Sequence, residues 1–381
     1  MRLTANTAGG IAGLAMVIIG VSTFPWIRKN FYEAFYLIHI ILFILILITV
    51  ALHRPDMTKS TVAIIISTAC LWVSDRIIRF LRLCWYFPGN RATLTALPNN
   101  AIRVTLSRSI RSTPGSHAYL WIPGIRLVET HPFTIVSQDP VQFVVRVHDG
   151  FTQDLLAEVS KGSQTTPAVA ETQLRCSLDG GYGQVADFMQ FDRLLFIAGG
   201  SGASFTFAVA LDIVKKCQSL NMTKMIDFIW VVKNTSSFEW FDQELSQLGE
   251  IPNVRIFLYV TQKTGDLVVS PELVEKNSTT STNLSTDLIR NQVPMGEVEK
   301  GPLSPVAVTS PDTKFANSIR SGRPSIENHV ITCVESCKPT DRIGVGACGP
   351  VELVASTRKA VAQKIYDNGP SITLYTEEFG W

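Results

Sequence analysis

The feature that most restricts the fold of this chain is a long apolar run near the N-terminus, Phe31–Leu52. A helix rises about 1.5 Å per residue, so roughly 20 residues cross a hydrocarbon core about 30 Å thick. Ala8–Phe24 is a second such run, and Ser60–Ser74 spans the core only if Asp75–Ile78 continues its helix to the interface. We therefore expect transmembrane helices in residues 1–85.

Basic residues flank these runs unevenly. Arg28 and Lys29 lie between the first two runs, and Arg76, Arg79 and Arg82 follow the third. Because cytoplasmic loops carry an excess of Lys and Arg, we expect these ends and the rest of the chain to be cytoplasmic. A signal peptide is a poor alternative for the first run, since no clear small-residue cleavage site precedes its basic flank. The expected location is a membrane, taken as the plasma membrane.

The composition adds few restrictions. At 381 residues the chain has room for two or three domains, and a net charge of +2 gives no indication of nucleic-acid binding. Its seven cysteines are scattered and include no Cys-x-x-Cys pair, so we expect neither a disulfide framework nor a zinc site.

Two histidines, His39 and His53, belong to the second helix and lie 14 residues apart. On one helix they point roughly the same way, about 21 Å apart, with one towards each leaflet. Ionisable groups inside a bilayer indicate function, and histidine is a common ligand of haem iron, so the pair is a candidate site for two stacked haems. The alternatives are an interfacial His53 and a His39 that hydrogen-bonds within a helical bundle.

Residues 86–190 alternate short strand-like runs with Gly and Pro turns, which predicts a small antiparallel β-barrel. His131-Pro132-Phe133-Thr134 lies just before one of the predicted strands, Gln142–Val147. A flat aromatic ring beside a hydroxyl suits a flavin, whose ring face takes stacking and whose nitrogens take hydrogen bonds. A plain turn entering a strand is the alternative. The expected strands are Ala101–Leu106, Ala118–Ile122 and Gln142–Val147.

Gly150-Phe151-Thr152 precedes a predicted helix, Gln153–Ser160. The start of a helix offers free backbone N–H groups to a phosphate. Thr152 can also cap that helix, and the two uses are compatible.

Residues 191–381 have the pattern of an α/β domain. A buried strand runs into Gly199-Gly200-Ser201-Gly202 and then a helix, Phe205–Gln218. Such a turn lets the backbone approach a pyrophosphate at the helix N-terminus, although a tight turn without a ligand is the alternative. Further strands are expected at Met225–Val232 and Val254–Val260. Lys233 can meet an adenosine 2′-phosphate, which favours NADPH, or it is simply solvated.

The last part of the chain repeats the strand-turn-helix order. A strand from Asp341 ends in the turn Cys348-Gly349-Pro350, and a helix, Val351–Tyr366, follows. Ile372–Glu377 closes the sheet. The C-terminal aromatic residues can cover a flavin until nicotinamide displaces them, or they form a packed end. Residues 276–325 are rich in Ser, Thr, Asn and Pro, which predicts a disordered insertion.

In this order the motifs resemble those of a fungal-type ferric reductase of the ferric reductase/NADPH oxidase superfamily. Each motif is weak alone, but their order is specific and covers nearly the whole chain outside the insertion. They are Arg28-Lys-Asn-Phe-Tyr-Glu33, His39 with His53, Trp72-Val-Ser-Asp-Arg76, Pro114-Gly115, His131-Pro-Phe-Thr134, Gly150-Phe-Thr152, Asp179-Gly-Gly-Tyr-Gly183, Gly199-Gly-Ser-Gly202, Trp230-Val-Val-Lys-Asn234, Cys348-Gly-Pro350 and Glu378-Phe379.

The resemblance implies a multi-domain fold: partial haem-bearing transmembrane α-helices in 1–85, an antiparallel β-barrel for FAD in 86–190, and a Rossmann-like, ferredoxin–NADP reductase-like domain for NADPH in 191–381. It implies that Phe133 stacks on the flavin, that Thr134 bonds near its reactive nitrogen, and that Phe379 covers it. The other implied cofactor contacts are His131, Pro132, Gly150, Phe151, Thr152, Gly199, Gly200, Gly202, Cys348, Gly349 and Pro350.

The implied activity is transfer of electrons from NADPH through FAD and haem b to ferric, and also cupric, chelates, in support of iron uptake. Family members carry two helices with histidine pairs, so the resemblance implies a shortened membrane part that begins partway through the bundle. It also leaves two alternatives. One is an NADPH oxidase that reduces dioxygen, and the other is a non-catalytic membrane subunit that pairs with a full-length reductase.

Overall fold

A computed structural model describes residues 2–53, 59–165, 172–262, 319–365 and 369–377. The chain divides into two compact units, Met1–Trp85 and Tyr86–Trp381. The predicted Phe379 and most of the predicted insertion lie outside the described residues.

The first unit is helical. Two of its segments are long and apolar enough to cross a membrane: Ala5–Ser22, with a mean hydropathy of 1.6, and Ala34–His53, with 2.9. The third apolar run does continue through Asp75–Ile78 in one helix. The helices are α1 (Arg2–Ser22), α2 (Pro25–Asn30), α3 (Tyr32–His53) and α4 (Lys59–Tyr86).

Small side chains let α1 approach α3 closely. Ala5, Ala8, Ala12 and Ala15 recur every three or four residues and are all buried. Residues at this spacing share one face of a helix, and small residues allow two backbones to come near each other in a membrane. The contact between α1 and α3 therefore follows from the sequence.

The second unit begins with a β-barrel made of two antiparallel sheets, with strand orders β5-β6-β2-β1-β7 and β4-β3-β8. Both sheets contribute to one apolar core, for example Leu94 and Ile102 from the first and Leu120 and Leu178 from the second. The elements are β1 (Arg91–Leu97), β2 (Ala101–Leu106), β3 (His117–Trp121), β4 (His131–Thr134), β5 (Ser137–Gln138), β6 (Val141–Arg146), α5 (Phe151–Thr165), β7 (Thr172–Arg175) and β8 (Ser177–Tyr182).

A six-stranded parallel sheet follows, in the order β12-β11-β10-β9-β13-β14. The strand order reverses between β9 and β13, and ligands of open α/β sheets bind at such a point. The elements are β9 (Arg193–Gly199), α6 (Ala203–Ser219), β10 (Met225–Val232), α7 (Asp242–Gly249), β11 (Val254–Val260), β12 (Ile319–Ser321), α8 (Ile326–Glu335), β13 (Arg342–Cys348), α9 (Val351–Lys364) and β14 (Ser371–Glu377).

The predicted insertion extends too far. Ile319–Ser321 forms β12, which pairs in parallel with the edge of β11, and the Ser325 hydroxyl accepts a hydrogen bond from the Asn328 N–H at the start of α8. The prediction took the polar composition of this stretch as a sign of disorder. A short edge strand needs little apolar burial, because its hydrogen bonds to the neighbouring strand stabilise it. The end of the insertion expected at residue 325 is therefore wrong.

The barrel and the parallel sheet share one core. Ala101, Val136 and Val144 of the barrel belong to the apolar cluster that α6 and β10 build. A Cβ on Gly115, whose φ is +83°, would lie 2.9 Å from Val209 Cγ2, so this turn packs directly on α6. The two domains thus meet beside the helix that follows the first glycine turn.

Candidate functional site

The two glycine turns, which follow β9 and β13, interlock. A Cβ on Gly202 would lie 2.4 Å from the carbonyl oxygen of Cys348, and one on Gly349 would lie 2.9 Å from Gly199 Cα. A Cβ on Gly199 would meet Pro350 Cδ at 2.6 Å. Glycine is required here because the backbones approach too closely for side chains. The structure therefore brings these five predicted residues together at the sheet's switch point.

The first glycine turn leads directly into α6. Gly200 has a φ of +55°, and α6 begins at Ala203. The first N–H groups of a helix lack intrahelical acceptors and attract anions. The Trp230 indole N–H donates to the Gly200 carbonyl at 3.1 Å. This role of Trp230 was not predicted, because nothing in the local sequence links β10 to the turn.

Cys348 contributes shape rather than reactive chemistry. Its side chain is fully buried. Burial raises the pKa of the thiol well above its ordinary value, and the nearby Glu377 carboxylate raises that pKa further. The thiol is neutral at physiological pH, so it supplies neither a base nor a thiolate nucleophile.

Lys233 follows β10 and is exposed. Its carbonyl accepts the Gln262 N–H at 3.0 Å, which ties the ends of β10 and β11 together. The role of Lys233 in binding a 2′-phosphate stays a prediction.

His131 to Thr134 form a strand rather than a turn. Directly opposed residues of an antiparallel pair share a side of the sheet. Phe133 opposes Ala118, which is buried, whereas Thr134 opposes His117. Phe133 and Thr134 therefore lie on opposite sides of β4, and Pro132 shares the side of Thr134.

The strand meets the start of α5 through aromatic rings. The His131 ring stacks on Phe151, with centroids 4.2 Å apart and an interplanar angle of 15°. Phe133 lies 6.2 Å from Phe151 and 6.2 Å from Phe143, and its own ring is half-buried. Two motifs that are separated in sequence thus form one site.

The loop before α5 has a fixed shape. Gly150 has a φ of +67° and precedes Phe151, where the helix begins. The Thr152 hydroxyl accepts the His148 N–H at 2.8 Å. Thr152 lies inside the helix and closes the loop, so its alternative role as the helix cap is wrong. The N–H groups of Phe151 and Thr152 belong to the first turn, where a phosphate can bind.

An aromatic cluster that the sequence did not indicate lies on the Thr134 side of this small sheet. Tyr119 and Tyr182 lie 5.8 Å apart, and His117 lies about equally far from each, at 6.0 and 6.1 Å. Desolvation lowers the pKa of His117. A neutral imidazole therefore stands beside the predicted flavin contact Thr134.

The histidines of α3 fit iron ligation. The His53 Nδ1 lies 2.7 Å from the Ala5 carbonyl, which only accepts, so Nδ1 carries the proton and Nε2 keeps its lone pair. A Cβ on Gly9 would lie 2.5 Å from this ring, so α1 holds it in place. The His39 Nδ1 is buried without a hydrogen-bond partner among the described residues, as a group that awaits a ligand would be.

Three family models match the chain in sequence order. Residues 1–50 match the ferric reductase like transmembrane component, residues 86–186 match an FAD-binding domain, and residues 191–362 match the ferric reductase NAD binding domain. The predicted FAD barrel and nucleotide-binding α/β domain are thereby confirmed.

Curated relatives are fungal ferric reductases. The probable cell surface ferric reductase kap2 of Aspergillus oryzae is 29% identical over 62% of this chain and 34% of its own length. Ferric reductase transmembrane component 5 of Saccharomyces cerevisiae is 26% identical over 96% of this chain and 49% of its own length. The chain thus spans about half the length, or less, of these relatives.

Among solved structures, a ferredoxin NADP+ reductase from Neisseria gonorrhoeae with bound FAD and NADP aligns with a TM-score of 0.45 and 16% identity, covering 75% of this chain and 97% of that one. The ordered family matches and the fungal relatives confirm the family inferred from the motifs: the chain belongs to the ferric reductase superfamily.

Proposed function

We propose that the chain is the electron-input part of an NADPH-dependent ferric-chelate reductase of a membrane. The observation that carries this proposal is the interlocking of Gly202 with the Cys348 turn, in the same compact unit as the stacked His131 and Phe151. FAD, when bound, accepts a hydride from NADPH and releases single electrons, which is the conversion that reduction of Fe(III) requires.

In this proposal the first glycine turn and α6 bind the phosphates of NADPH. Gly199, Gly200 and Gly202 keep the backbone open to the pyrophosphate, and the start of α6 offers its N–H groups. Lys233 pairs with the 2′-phosphate that distinguishes NADPH from NADH. Gly349 and Pro350 shape the opposite wall.

The barrel binds FAD where β4 ends, at Thr134. The N–H groups of Phe151 and Thr152, made accessible by the turn at Gly150, bind the pyrophosphate. Phe133 stacks on the flavin ring and Thr134 donates a hydrogen bond near its reactive nitrogen. Cys348 lines the nicotinamide site.

No side chain has to donate or abstract a proton for the hydride step. Catalysis then consists mainly of holding nicotinamide against flavin, and correct orientation alone supplies roughly 7–11 kcal/mol in favourable reactions. The neutral Cys348 thiol suits this role, because it adds no charge beside the transferred hydride.

The membrane helices carry the electrons onwards. His39 and His53 would hold haem b through their imidazole nitrogens. Haem supplies one-electron steps across the bilayer. The barrel and nucleotide domain face the cytoplasm, the membrane is the plasma membrane, and ferric or cupric chelates are reduced on the far side in support of iron uptake.

Membranes that contain the chain provide the test. NADPH should generate ferrous iron, measured by a colour-forming chelator, faster than superoxide. Superoxide as the main product would favour an oxidase instead. A purified chain that binds flavin without haem would restrict the activity to soluble acceptors, and binding of neither would support a non-catalytic subunit that pairs with a full-length reductase.

A further inference from the structure

A buried ion pair joins the barrel to the nucleotide domain. Arg103 of β2 donates to both carboxylate oxygens of Glu244 on α7, at 2.8 and 2.9 Å. The same guanidinium donates to the Trp240 carbonyl at 2.7 Å and to Gln142 of β6 at 2.9 Å. The side chains of Arg103 and Glu244 are only 11% and 7% exposed.

The neighbouring β1–β2 turn makes a second set of contacts with the same region. Asn99, in the left-handed conformation with φ of +56°, donates to the hydroxyls of Ser236 and Ser237 at 2.8 and 2.9 Å. The Trp240 indole N–H donates to the Pro98 carbonyl at 2.7 Å. One hairpin of the barrel is thus fastened to one segment of the nucleotide domain by directional bonds.

We infer that Asn99, Arg103, Trp240 and Glu244 form an interdomain strut that sets the distance and angle between the flavin and the nicotinamide. Rapid hydride transfer in the proposed function, on which this inference rests, needs that geometry to be held closely, and a displacement of about 1 Å can slow such a reaction on the order of 100-fold.

The shared apolar core alone does not fix this geometry. Burial of Ala101 and Val144 in the common cluster is favourable but non-directional. A planar guanidinium that bonds a carboxylate through two parallel N–H groups fixes orientation as well as distance. Arg103 and Glu244 are therefore positioning residues, which act through the relative placement of the two domains.

A matched pair of amide substitutions tests the strut. Glu244→Gln removes a buried carboxylate that forms an ion pair between the two domains. Asp227→Asn removes one that pairs with Arg193 and Arg255 inside the nucleotide domain, at 2.6 Å to each. Both should lower the melting temperature of the full chain and keep its FAD content. Only Glu244→Gln should slow flavin reduction by saturating NADPH, by at least about 10-fold, in anaerobic stopped flow.

A wild-type rate in Glu244→Gln, or an equal loss of rate in both variants, would overturn the inference. If Glu244→Gln fails to fold, the double variant Arg103→Leu/Glu244→Leu replaces it, because it leaves neither charge buried without its partner. The same fall in rate at constant FAD content is expected from that variant.

A distance measurement separates failure of the strut from failure of the proposed function. Wild-type protein that holds FAD but is not reduced by NADPH would contradict the function alone. Spin labels at the exposed Gln173 and Met222, with the exposed Cys70 and Cys84 changed to serine, then report the domain geometry directly. The distance distribution should be narrow in the wild type and broad in the double leucine variant, and equally narrow distributions would refute the strut.

Discussion

Gly202 lies against Cys348 so closely that a Cβ on the glycine would be 2.4 Å from the cysteine's carbonyl oxygen. Gly202→Ala must push the turn that follows β9 away from the end of β13, and overpacking of this kind costs about 1–3 kcal/mol of stability. We expect the variant to keep FAD, which the barrel binds, and to lose at least about 10-fold in flavin reduction by NADPH.

Gly124→Ala is the control for that variant. A Cβ there would meet no atom within 4 Å, and Gly124 does not need a positive φ. Its FAD content and stopped-flow rate should equal those of the wild type. Loss of FAD in Gly202→Ala would contradict the assignment of this turn to the nicotinamide nucleotide.

Phe151→Leu tests the FAD site, because it removes the ring that stacks on His131 and keeps an apolar side chain at the helix start. Stacked rings contribute about 0.5–1.5 kcal/mol beyond burial. FAD affinity, measured by fluorescence titration, should fall several-fold. Phe207→Leu is the matched control, since Phe207 stacks on Phe241 at 5.1 Å within the nucleotide domain. An equal fall in FAD affinity in the two variants would argue against a specific role of Phe151.

Trp230→Phe removes one hydrogen bond and keeps a buried aromatic ring. Because the indole N–H donates to the Gly200 carbonyl, its loss frees the turn that we assign to the NADPH phosphates. A hydrogen bond of this kind contributes about 1 kcal/mol, which corresponds to a rise of roughly five-fold in the KM for NADPH. An unchanged KM would show that the indole only fills space.

Lys233→Ala tests the preference for NADPH. Loss of a charge that meets the 2′-phosphate should raise the KM for NADPH about 10-fold and leave the KM for NADH unchanged, since NADH carries no phosphate there. The ratio of kcat/KM for the two nucleotides checks this. A parallel change for both nucleotides would assign Lys233 to another role.

Stability should fall in mild acid, in part through His329. Burial, and next the Arg320 guanidinium on β12, lower the pKa of His329 below its ordinary value of 6.5. Its Nε2 lies 2.9 Å from the Tyr259 hydroxyl. Below about pH 6.5 the His329 imidazole binds a proton in the unfolded chain and stays neutral in the folded chain. The free energy of unfolding therefore falls as pH drops below that value.

His329→Gln keeps a polar partner for Tyr259 and removes the titration. Its melting temperature should fall less than that of the wild type between pH 7 and pH 5. Parallel falls in both proteins would assign the acid sensitivity to other groups, among them His117, whose pKa burial also lowers.

Strands rich in large apolar residues were the most predictable part of the fold. Met225–Val232 was predicted with the bounds of β10, because residues from Ile226 to Trp230 are buried in succession. β1 and β12 were missed. β1 contains two threonines and an arginine, and β12 is three residues long, so their pairing with β2 and β11 depends on chain neighbours that local sequence does not show.

The parts of the candidate site that consist of glycine turns or short motifs were predictable. The two glycine turns and the Phe151 motif were identified from their positions after strands and before helices, and the His131 motif from an aromatic ring beside a hydroxyl between strands. Trp230 was not assigned to the Gly200 turn, and the pairing of Arg103 with Glu244 was not predicted. The latter residues are 141 positions apart, and an Arg and a Glu on separate elements carry no signal that they meet.

Anaerobic absorbance of the purified full chain during addition of NADPH decides whether the chain is an NADPH-dependent flavoprotein. We expect bound flavin whose absorbance bleaches within the turnover time, faster with NADPH than with NADH. A chain that contains no flavin after reconstitution with FAD, or whose flavin stays oxidised under NADPH, would contradict it.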